Sequence, residues 1–86
     1  MPEICRFYGI VIYIYYNEHV PPHFHAFYGG REALISIETL SVLAGSLPPR
    51  SLGLVIEWAS IHRKDLENVW NQAMNNQKLD KIEPLE

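Results

Sequence analysis

Apolar positions divide the chain into a β-like first half and a helical second half. Residues 5–45 are rich in β-branched and aromatic side chains punctuated by glycine, whereas residues 48–76 carry helix formers with apolar side chains at helical spacing. We therefore predict an α+β fold, a small antiparallel sheet of three to four strands followed by one long C-terminal helix, in a single domain over residues 1–86. Residues 77–86 form a polar tail that we expect to be loosely ordered.

The first predicted strand, residues 7–16, is apolar on both of its alternating faces. Such a strand is usually central in its sheet, or it is covered by a helix on one face and by a partner on the other. We expect it to end before Pro21 and Pro22, because a proline nitrogen has no hydrogen to donate to a strand ladder.

A tight hairpin is predicted around Gly29-Gly30, which is a suitable two-residue loop for a primed turn. It joins strands over residues 23–28 and 31–38 and sets His23 opposite Ser36. Because side chains alternate, one face is apolar and contains Phe24, Ala26, Ala33, Ile35 and Ile37. The other face carries His23, His25, Phe27, Glu32, Leu34, Ser36 and Glu38.

A short fourth strand is expected near residues 41–44, after a turn at Thr39-Leu40. In this strand Val42 and Ala44 are predicted to continue the apolar face of the hairpin.

The helical half carries an apolar stripe along its whole length. Ser46 is placed to cap the helix, and Pro48-Pro49 suits its first turn, where backbone N–H groups lack partners anyway. An unbroken helix over residues 49–76 would measure about 42 Å at 1.5 Å per residue. A domain of this size is only about 30 Å across. Either the helix bends near His62-Arg63-Lys64, or its second half extends past the sheet and needs a partner.

Charge and cysteine content exclude several classes of protein. The chain of 86 residues has seven basic and ten acidic side chains, a net charge of −3, which disfavours nucleic-acid binding through bulk electrostatics. Cys5 is the one cysteine, so no internal disulfide can form, and we expect a reducing, cytoplasmic environment. No apolar run approaches the roughly 20 residues that span a bilayer, and no membrane association is expected.

Three of the four histidines, His19, His23 and His25, fall within seven residues. A His-x-His pair on a strand presents both imidazoles on one face, where they can bind one metal ion such as zinc. We predict a metal site made by these three histidines, and the carboxylate of Glu18 or Glu38 is an alternative third ligand. A divalent transition metal would then be the cofactor.

The same cluster supports a second hypothesis, an enzyme that cleaves an RNA phosphodiester. His23 and His25 would act as general acid and base, because imidazoles titrate near neutral pH, and Glu38 would lie nearby. Two features oppose this hypothesis. Arg31 is expected on the opposite hairpin face, and residues 1–48 carry two arginines against four glutamates, which gives RNA no basic surface.

The predicted apolar area exceeds what one small sheet and one helix can cover in two layers. Shared burial, in a homodimer or with another small protein, would resolve the excess. The residues predicted to form such an interface are Tyr13, Tyr15, Phe27, Leu66, Val69 and Trp70.

Several segments of the chain have a specific pattern: FYGI at residues 7–10, HVPPHFHA at residues 19–26, YGG at residues 28–30 and SLPPR at residues 46–50. They resemble a family of small bacterial proteins known as domain of unknown function 4160, over essentially the whole chain. Leu40 and Val20 depart from the family pattern, which favours glycine and a polar residue there.

The resemblance implies a short standalone cytoplasmic protein, often encoded beside another small protein in pairs reminiscent of toxin–antitoxin modules. It assigns no catalytic residues. Our leading hypothesis is therefore an interaction component of such a two-gene module, whose partner is a second copy of the chain or the product of the neighbouring gene.

Overall fold

The sheet and helices are defined by a computed structural model that describes residues 3–86, so residues 1–2 of the predicted domain lie outside the described residues. The elements are β1 (Glu3–Phe7), β2 (Ile10–Tyr13), β3 (His23–Tyr28), β4 (Arg31–Ser36), β5 (Val42–Gly45), α1 (Pro49–Ile61) and α2 (Arg63–Met74). The strands form one antiparallel sheet in the order β1-β2-β3-β4-β5. The α+β class is confirmed, but five strands replace the predicted three to four, and two helices replace one.

The β3–β4 hairpin has the predicted register. His23 pairs with Ser36, and Tyr28 pairs with Arg31 across the Gly29-Gly30 turn. The two turn glycines have φ angles of 57° and 78°, the left-handed backbone that a primed turn requires. The predicted apolar face is confirmed, because five of its side chains are fully buried: Phe24, Ala26, Ala33, Ile35 and Ile37.

The single strand predicted over residues 7–16 is wrong, because a hairpin turn divides it. Tyr8 and Gly9 have φ angles of 49° and 79°, so they form a tight turn that reverses the chain between Phe7 and Ile10. One set of side chains in β2 faces the core, and Ile10 and Ile12 are fully buried. The apolar run is therefore two strands, each with its own core-facing side chains.

β5 is the exposed edge of the sheet, and the prediction that it continues the apolar face is wrong. All four of its residues are exposed, with Val42 at 40% and Leu43 at 45%. The pairing with β4 shifts between Leu34 and Ile35, which interrupts the alternation of side chains. The turn before β5 places Leu40 at a φ of 59°, in the left-handed region of the backbone.

The helical half breaks at His62, as the first of the two alternatives predicts. His62 lies between α1 and α2 as the cap of both, with φ −110° and ψ 26°, outside helical geometry. The break keeps the described residues within 33 × 25 × 23 Å. Pro48, without a side-chain hydrogen bond, takes the N-cap position predicted for Ser46, and Pro49 begins the helix. Neither helix in the described range 3–86 is long and apolar enough to cross a membrane.

Trp58 of α1 joins the helices to the inner face of the sheet. Its fully buried ring lies 5.5 Å from Phe7 of β1 and 5.9 Å from Phe24 of β3, measured between ring centroids. The indole N–H donates to the carbonyl of Glu83 at 2.8 Å, so the one polar atom of the ring is satisfied.

The C-terminal tail contacts β1, and the expectation that it is loosely ordered stays a prediction. The N–H of Ile82 donates to the carbonyl of Ile4 at 2.9 Å, and the Ile82 side chain is buried. Lys81 donates from Nζ to the carbonyl of Glu3 at 2.8 Å. These contacts occupy β1 and leave β5 as the open edge of the sheet.

The surroundings of Gly45 show how closely β5 packs against β4. A Cβ atom at this position would lie 2.1 Å from the carbonyl oxygen of Glu32, and φ is +74°. At Gly30 the φ is +78°, with no neighbouring atom within 4 Å. We expect Gly30→Ala to cost about 1–2 kcal/mol of unfolding free energy from backbone strain alone. Gly45→Ala should cost at least about 1 kcal/mol more, because strain and collision combine. Urea unfolding of both variants measures the difference, and equal losses would contradict it.

Cys5 should be an unreactive thiol in the folded chain. Burial in β1 raises its pKa to about 11, so the nucleophilic thiolate is scarce at neutral pH. We expect a thiol reagent such as 5,5′-dithiobis(2-nitrobenzoate) to label the native protein far more slowly at pH 8 than the protein unfolded in urea. Equal labelling rates in the two conditions would contradict this prediction.

Candidate functional site

The β3–β4 hairpin brings two imidazoles together on one surface, which we call the histidine face: the face of the hairpin that carries His23, His25 and Glu32. His23 and His25 are two residues apart on β3, so their side chains point the same way. Their ring centroids are 5.3 Å apart. Glu32 reaches this face from β4, opposite Phe27. The register of one hairpin thus supplies two nitrogen ligands and a carboxylate.

Glu18 joins the histidine face from the connection between β2 and β3. One end of this connection is anchored by a hydrogen bond of 2.8 Å that the Tyr16 hydroxyl donates to the carbonyl of Gln77. The other end is anchored by a hydrogen bond of 3.0 Å that the N–H of Ile37 donates to the carbonyl of Pro22. Glu18 lies between the two anchors, with its carboxylate over the histidines. Its Oε1 is 2.7 Å from Nε2 of His25 and 3.6 Å from Nε2 of His23.

The hydrogen bond of His23 determines which of its nitrogens is free. Nδ1 lies 2.8 Å from the carbonyl oxygen of Pro21. A carbonyl oxygen only accepts hydrogen bonds, so Nδ1 carries the proton and donates it. In the neutral ring Nε2 then keeps its lone pair, and this is the nitrogen that faces Glu18.

His25 lies between two carboxylates. Nδ1 is 2.8 Å from Oε2 of Glu32, and Nε2 is 2.7 Å from Oε1 of Glu18. Both carboxylates accept hydrogen bonds, and the neutral imidazole has a single N–H, so it donates to one of them and turns the lone pair of its other nitrogen toward the second. The arrangement of Glu32, His25 and a ligand on the far nitrogen is the one in which a carboxylate orients a metal-bound histidine.

Aromatic rings enclose the cluster on both sides. Trp70 of α2 lies 5.3 Å from the His23 ring, and Tyr15 meets the His25 ring edge-on at 4.5 Å between centroids. The side chains of His23 and His25 are only 8% and 10% exposed, whereas Glu18 is 24% exposed. Burial raises the pKa of the Tyr15 hydroxyl, and the negative charges of Glu32 and Glu18 act in the same direction. The site is therefore largely shielded from water and opens on the side of Glu18.

Glu18, His23 and His25 together have the geometry of a small metal-binding group. One nitrogen of each imidazole and one oxygen of Glu18 all lie within 4.8 Å of one another. Two histidines and one carboxylate form a ligand set used by zinc and by non-haem iron.

The structure brings together two of the three predicted ligands and replaces the third. His19 is exposed and lies outside the group, whereas its neighbour Glu18, the alternative considered, belongs to it. Glu38 is also exposed, and it lines a separate cavity of about 260 Å³ with Pro22 and Trp70. The contact between Glu32 and His25 was not predicted, although the predicted register placed both residues on one face.

The residues predicted to form an interface separate into two groups. Leu66, Val69 and Trp70 are buried in the chain's own core, so they offer no surface to a partner, and the prediction is corrected for them. Tyr13, Tyr15 and Phe27 remain partly exposed. They form a compact aromatic group in which Tyr13 stacks on Tyr15 at 6.0 Å and meets Phe27 edge-on at 5.1 Å.

Comparison with known proteins identifies the family of the chain. A family model described as domain of unknown function (DUF4160) matches residues 9–71. The chain belongs to this family. The DUF4160 match includes every residue of the histidine cluster and its carboxylate partners. It begins after β1 and ends before the C-terminal tail, the two segments that pair with each other. No curated protein and no solved structure matches the chain.

Proposed function

We propose that this chain binds a divalent transition-metal ion through Glu18, His23 and His25. The observation that carries the proposal is the convergence of three ligand atoms within 4.8 Å, on imidazoles whose other nitrogens already have hydrogen-bond acceptors. The hydrogen bonds on the other nitrogens fix the ring orientations before an ion arrives, so less conformational entropy is lost on binding.

The spacing of the ligand atoms suits a small ion. Zinc–nitrogen and zinc–oxygen bonds of about 2.0–2.1 Å place neighbouring tetrahedral ligands about 3.3 Å apart. The separation of 3.6 Å between Glu18 and His23 is close to that value. The separation of 2.7 Å between Glu18 and His25 is that of a hydrogen bond, and it would lengthen as a metal ion replaces the shared proton. A small rotation of the Glu18 side chain, which is the most exposed of the three, is sufficient.

Local charge favours a cation over an anion at this site. Glu18 and Glu32 place two carboxylates around His25. A phosphodiester would meet these negative charges without a compensating cation, because Arg31 lies on the other hairpin face, opposite Tyr28. A divalent ion instead neutralises both carboxylates. The same groups thus support metal binding more than direct action of the histidines on RNA.

Three protein ligands leave one tetrahedral position for water or for a ligand from outside the chain. That position faces the Glu18 side, because Trp70 and Tyr15 cover the two histidines. Nitrogen and oxygen ligands suit Zn²⁺, Co²⁺, Ni²⁺ and Fe²⁺, and the absence of a sulfur ligand from the set disfavours Cu⁺.

The first prediction of this proposal is uptake of one metal ion per chain. We expect the purified protein, after chelator treatment and dialysis, to bind one equivalent of Zn²⁺ or Co²⁺ by elemental analysis and calorimetry. Bound Co²⁺ should give the visible absorption of a low-coordinate site. At a free metal concentration about 100 times the dissociation constant, unfolding free energy should rise by about 2.7 kcal/mol.

Substitutions separate this site from other histidines of the chain. Glu18→Ala and His25→Ala should abolish uptake, whereas His19→Ala and His62→Ala should leave it unchanged, because these two side chains lie outside the group. Circular dichroism of each metal-free variant checks that the fold survives. Absence of stoichiometric binding to the unmodified chain, or equal binding by His25→Ala, would refute the proposal.

Glu32 should affect metal affinity without contacting the metal. Removing an acceptor behind a metal-bound histidine typically weakens binding by about 10–100-fold. We expect Glu32→Ala to lose affinity in this range, and Glu32→Gln to lose less, because the amide oxygen still accepts from Nδ1 of His25. Competition titration with a chromogenic chelator measures both. Unchanged affinity in Glu32→Ala would show that the contact with His25 has no role in binding.

The hypotheses of an interaction component in a toxin–antitoxin-like module and of a histidine-dependent hydrolase stay predictions. The hydrolase hypothesis is tested by assays for RNA cleavage that compare the unmodified chain with His23→Ala and His25→Ala. The interaction hypothesis is tested by co-purification with the product of a neighbouring gene.

A further inference from the structure

One histidine of the predicted metal cluster has no role in the chain's own site. His23, His25 and His62 each have a hydrogen-bond partner at Nδ1. Within the described residues 3–86, the imidazole of His19 has none, and the residue is exposed. A neutral imidazole keeps one lone pair that can bind a metal ion. His19 is therefore a nitrogen ligand that the fold presents to the outside.

The proposed metal site lacks one ligand, and the open position lies beside His19. Glu18, His23 and His25 fill three positions of a tetrahedral ion. Aromatic rings cover the two histidines, so a fourth ligand has to approach on the side of Glu18. His19 follows Glu18 directly in the chain, which places their Cα atoms about 3.8 Å apart. It nevertheless lies outside the group of its own chain.

We propose, as an inference that rests on the metal site proposed above, that His19 binds the metal ion of a second copy of this chain. Two chains would then form a metal-bridged dimer about a two-fold axis. Because the free imidazole and the open position are neighbours in sequence, two such segments that meet in opposite directions make the same contact twice. A second copy thus supplies the missing ligand and uses the histidine that its own site leaves out.

The surroundings of His19 suit a contact that depends on a metal ion. Val20 is 80% exposed, the highest value among the exposed large hydrophobic residues of the described chain, and Tyr16 is 39% exposed. Between Arg6 and Arg31, Glu18 is the one aspartate, glutamate, lysine or arginine. Burying its carboxylate between two acidic chains is costly unless a cation neutralises it. The apolar contact and the bound ion therefore stabilise the dimer together.

The connection between β2 and β3 presents His19 from a fixed position. Hydrogen bonds of Tyr16 and Pro22 anchor its two ends, so binding a partner costs less conformational entropy than ordering a free loop. Two bridges join the same pair of chains, and the second forms within a complex that the first has already made. A small contact area is therefore sufficient for association.

Analytical ultracentrifugation with and without zinc tests the proposal. We expect one equivalent of Zn²⁺ to lower the dimer dissociation constant of the unmodified chain at least about tenfold. His19→Ala retains the three ligands of its own site, so it should take up zinc and stay monomeric where the unmodified chain is dimeric. His62→Ala is the matched control. It removes an imidazole from the break between the helices, and it should dimerise with zinc as the unmodified chain does.

A mixture of two variants identifies the ligand that crosses between chains. His19→Ala has an intact site and no imidazole to offer, whereas His25→Ala offers His19 and has a defective site. Each variant alone should stay monomeric with zinc. Their mixture should form a heterodimer with one zinc ion, because one of the two bridges is complete, and native mass spectrometry measures this species. A mixture without heterodimer would show that His19 is not the bridging ligand.

Failure of this proposal is distinguishable from failure of the metal site. An unmodified chain that takes up no zinc would refute both. A chain that binds one equivalent of zinc and stays monomeric at millimolar concentration would overturn the dimer and leave the metal site standing. A zinc-dependent dimer that His19→Ala still forms would also overturn the proposal, because another contact would then join the chains.

Discussion

The register of the β3–β4 hairpin is the constraint on which both the core and the candidate site depend. Two left-handed residues, Gly29 and Gly30, close the turn and set which side chains share a face. A slip of one residue would move Phe24 out of the core and His25 into it. The strong preference of Phe24 and Ile35 for burial therefore also holds the two imidazoles on the opposite face. The candidate metal ligands are positioned by the hydrophobic effect acting on their neighbours in sequence.

Glu32 links two parts of the structure through two of its groups. Its carboxylate orients His25, and its carbonyl accepts the N–H of Ser46 and lies against Gly45. The histidine face and the β5 edge thus share one residue of β4, while each depends on a different atom of it. A side-chain substitution at Glu32 should therefore change the candidate site and leave the backbone contacts between β4 and β5 in place. A substitution at Gly45 should first disturb those backbone contacts.

Local chemistry explains which features could be predicted from the sequence. The Gly29-Gly30 turn was predicted because glycine signals left-handed backbone, whereas the equivalent turn at Tyr8-Gly9 was missed because tyrosine carries no such signal. The site was predicted in part, since His23 and His25 are close in sequence. The choice of Glu18 over His19 depends on how residues 14–22 cross the sheet. The contact of Tyr16 with Gln77, 61 residues away, anchors that path, and no local pattern reveals it.

Charge balance around the histidine face is the electrostatic argument for the proposed divalent ion. Two neutral imidazoles and the carboxylates of Glu18 and Glu32 carry a net charge of −2, and Trp70 and Tyr15 shield the imidazoles from water. A single added proton shared with His25 leaves one negative charge uncompensated, whereas a divalent ion neutralises the group. Electrostatic energies increase as water is excluded. The shielding therefore makes uncompensated carboxylates costly in free energy, and it also strengthens their attraction for a cation. The net charge of −3 over the whole chain acts in the same direction at longer range.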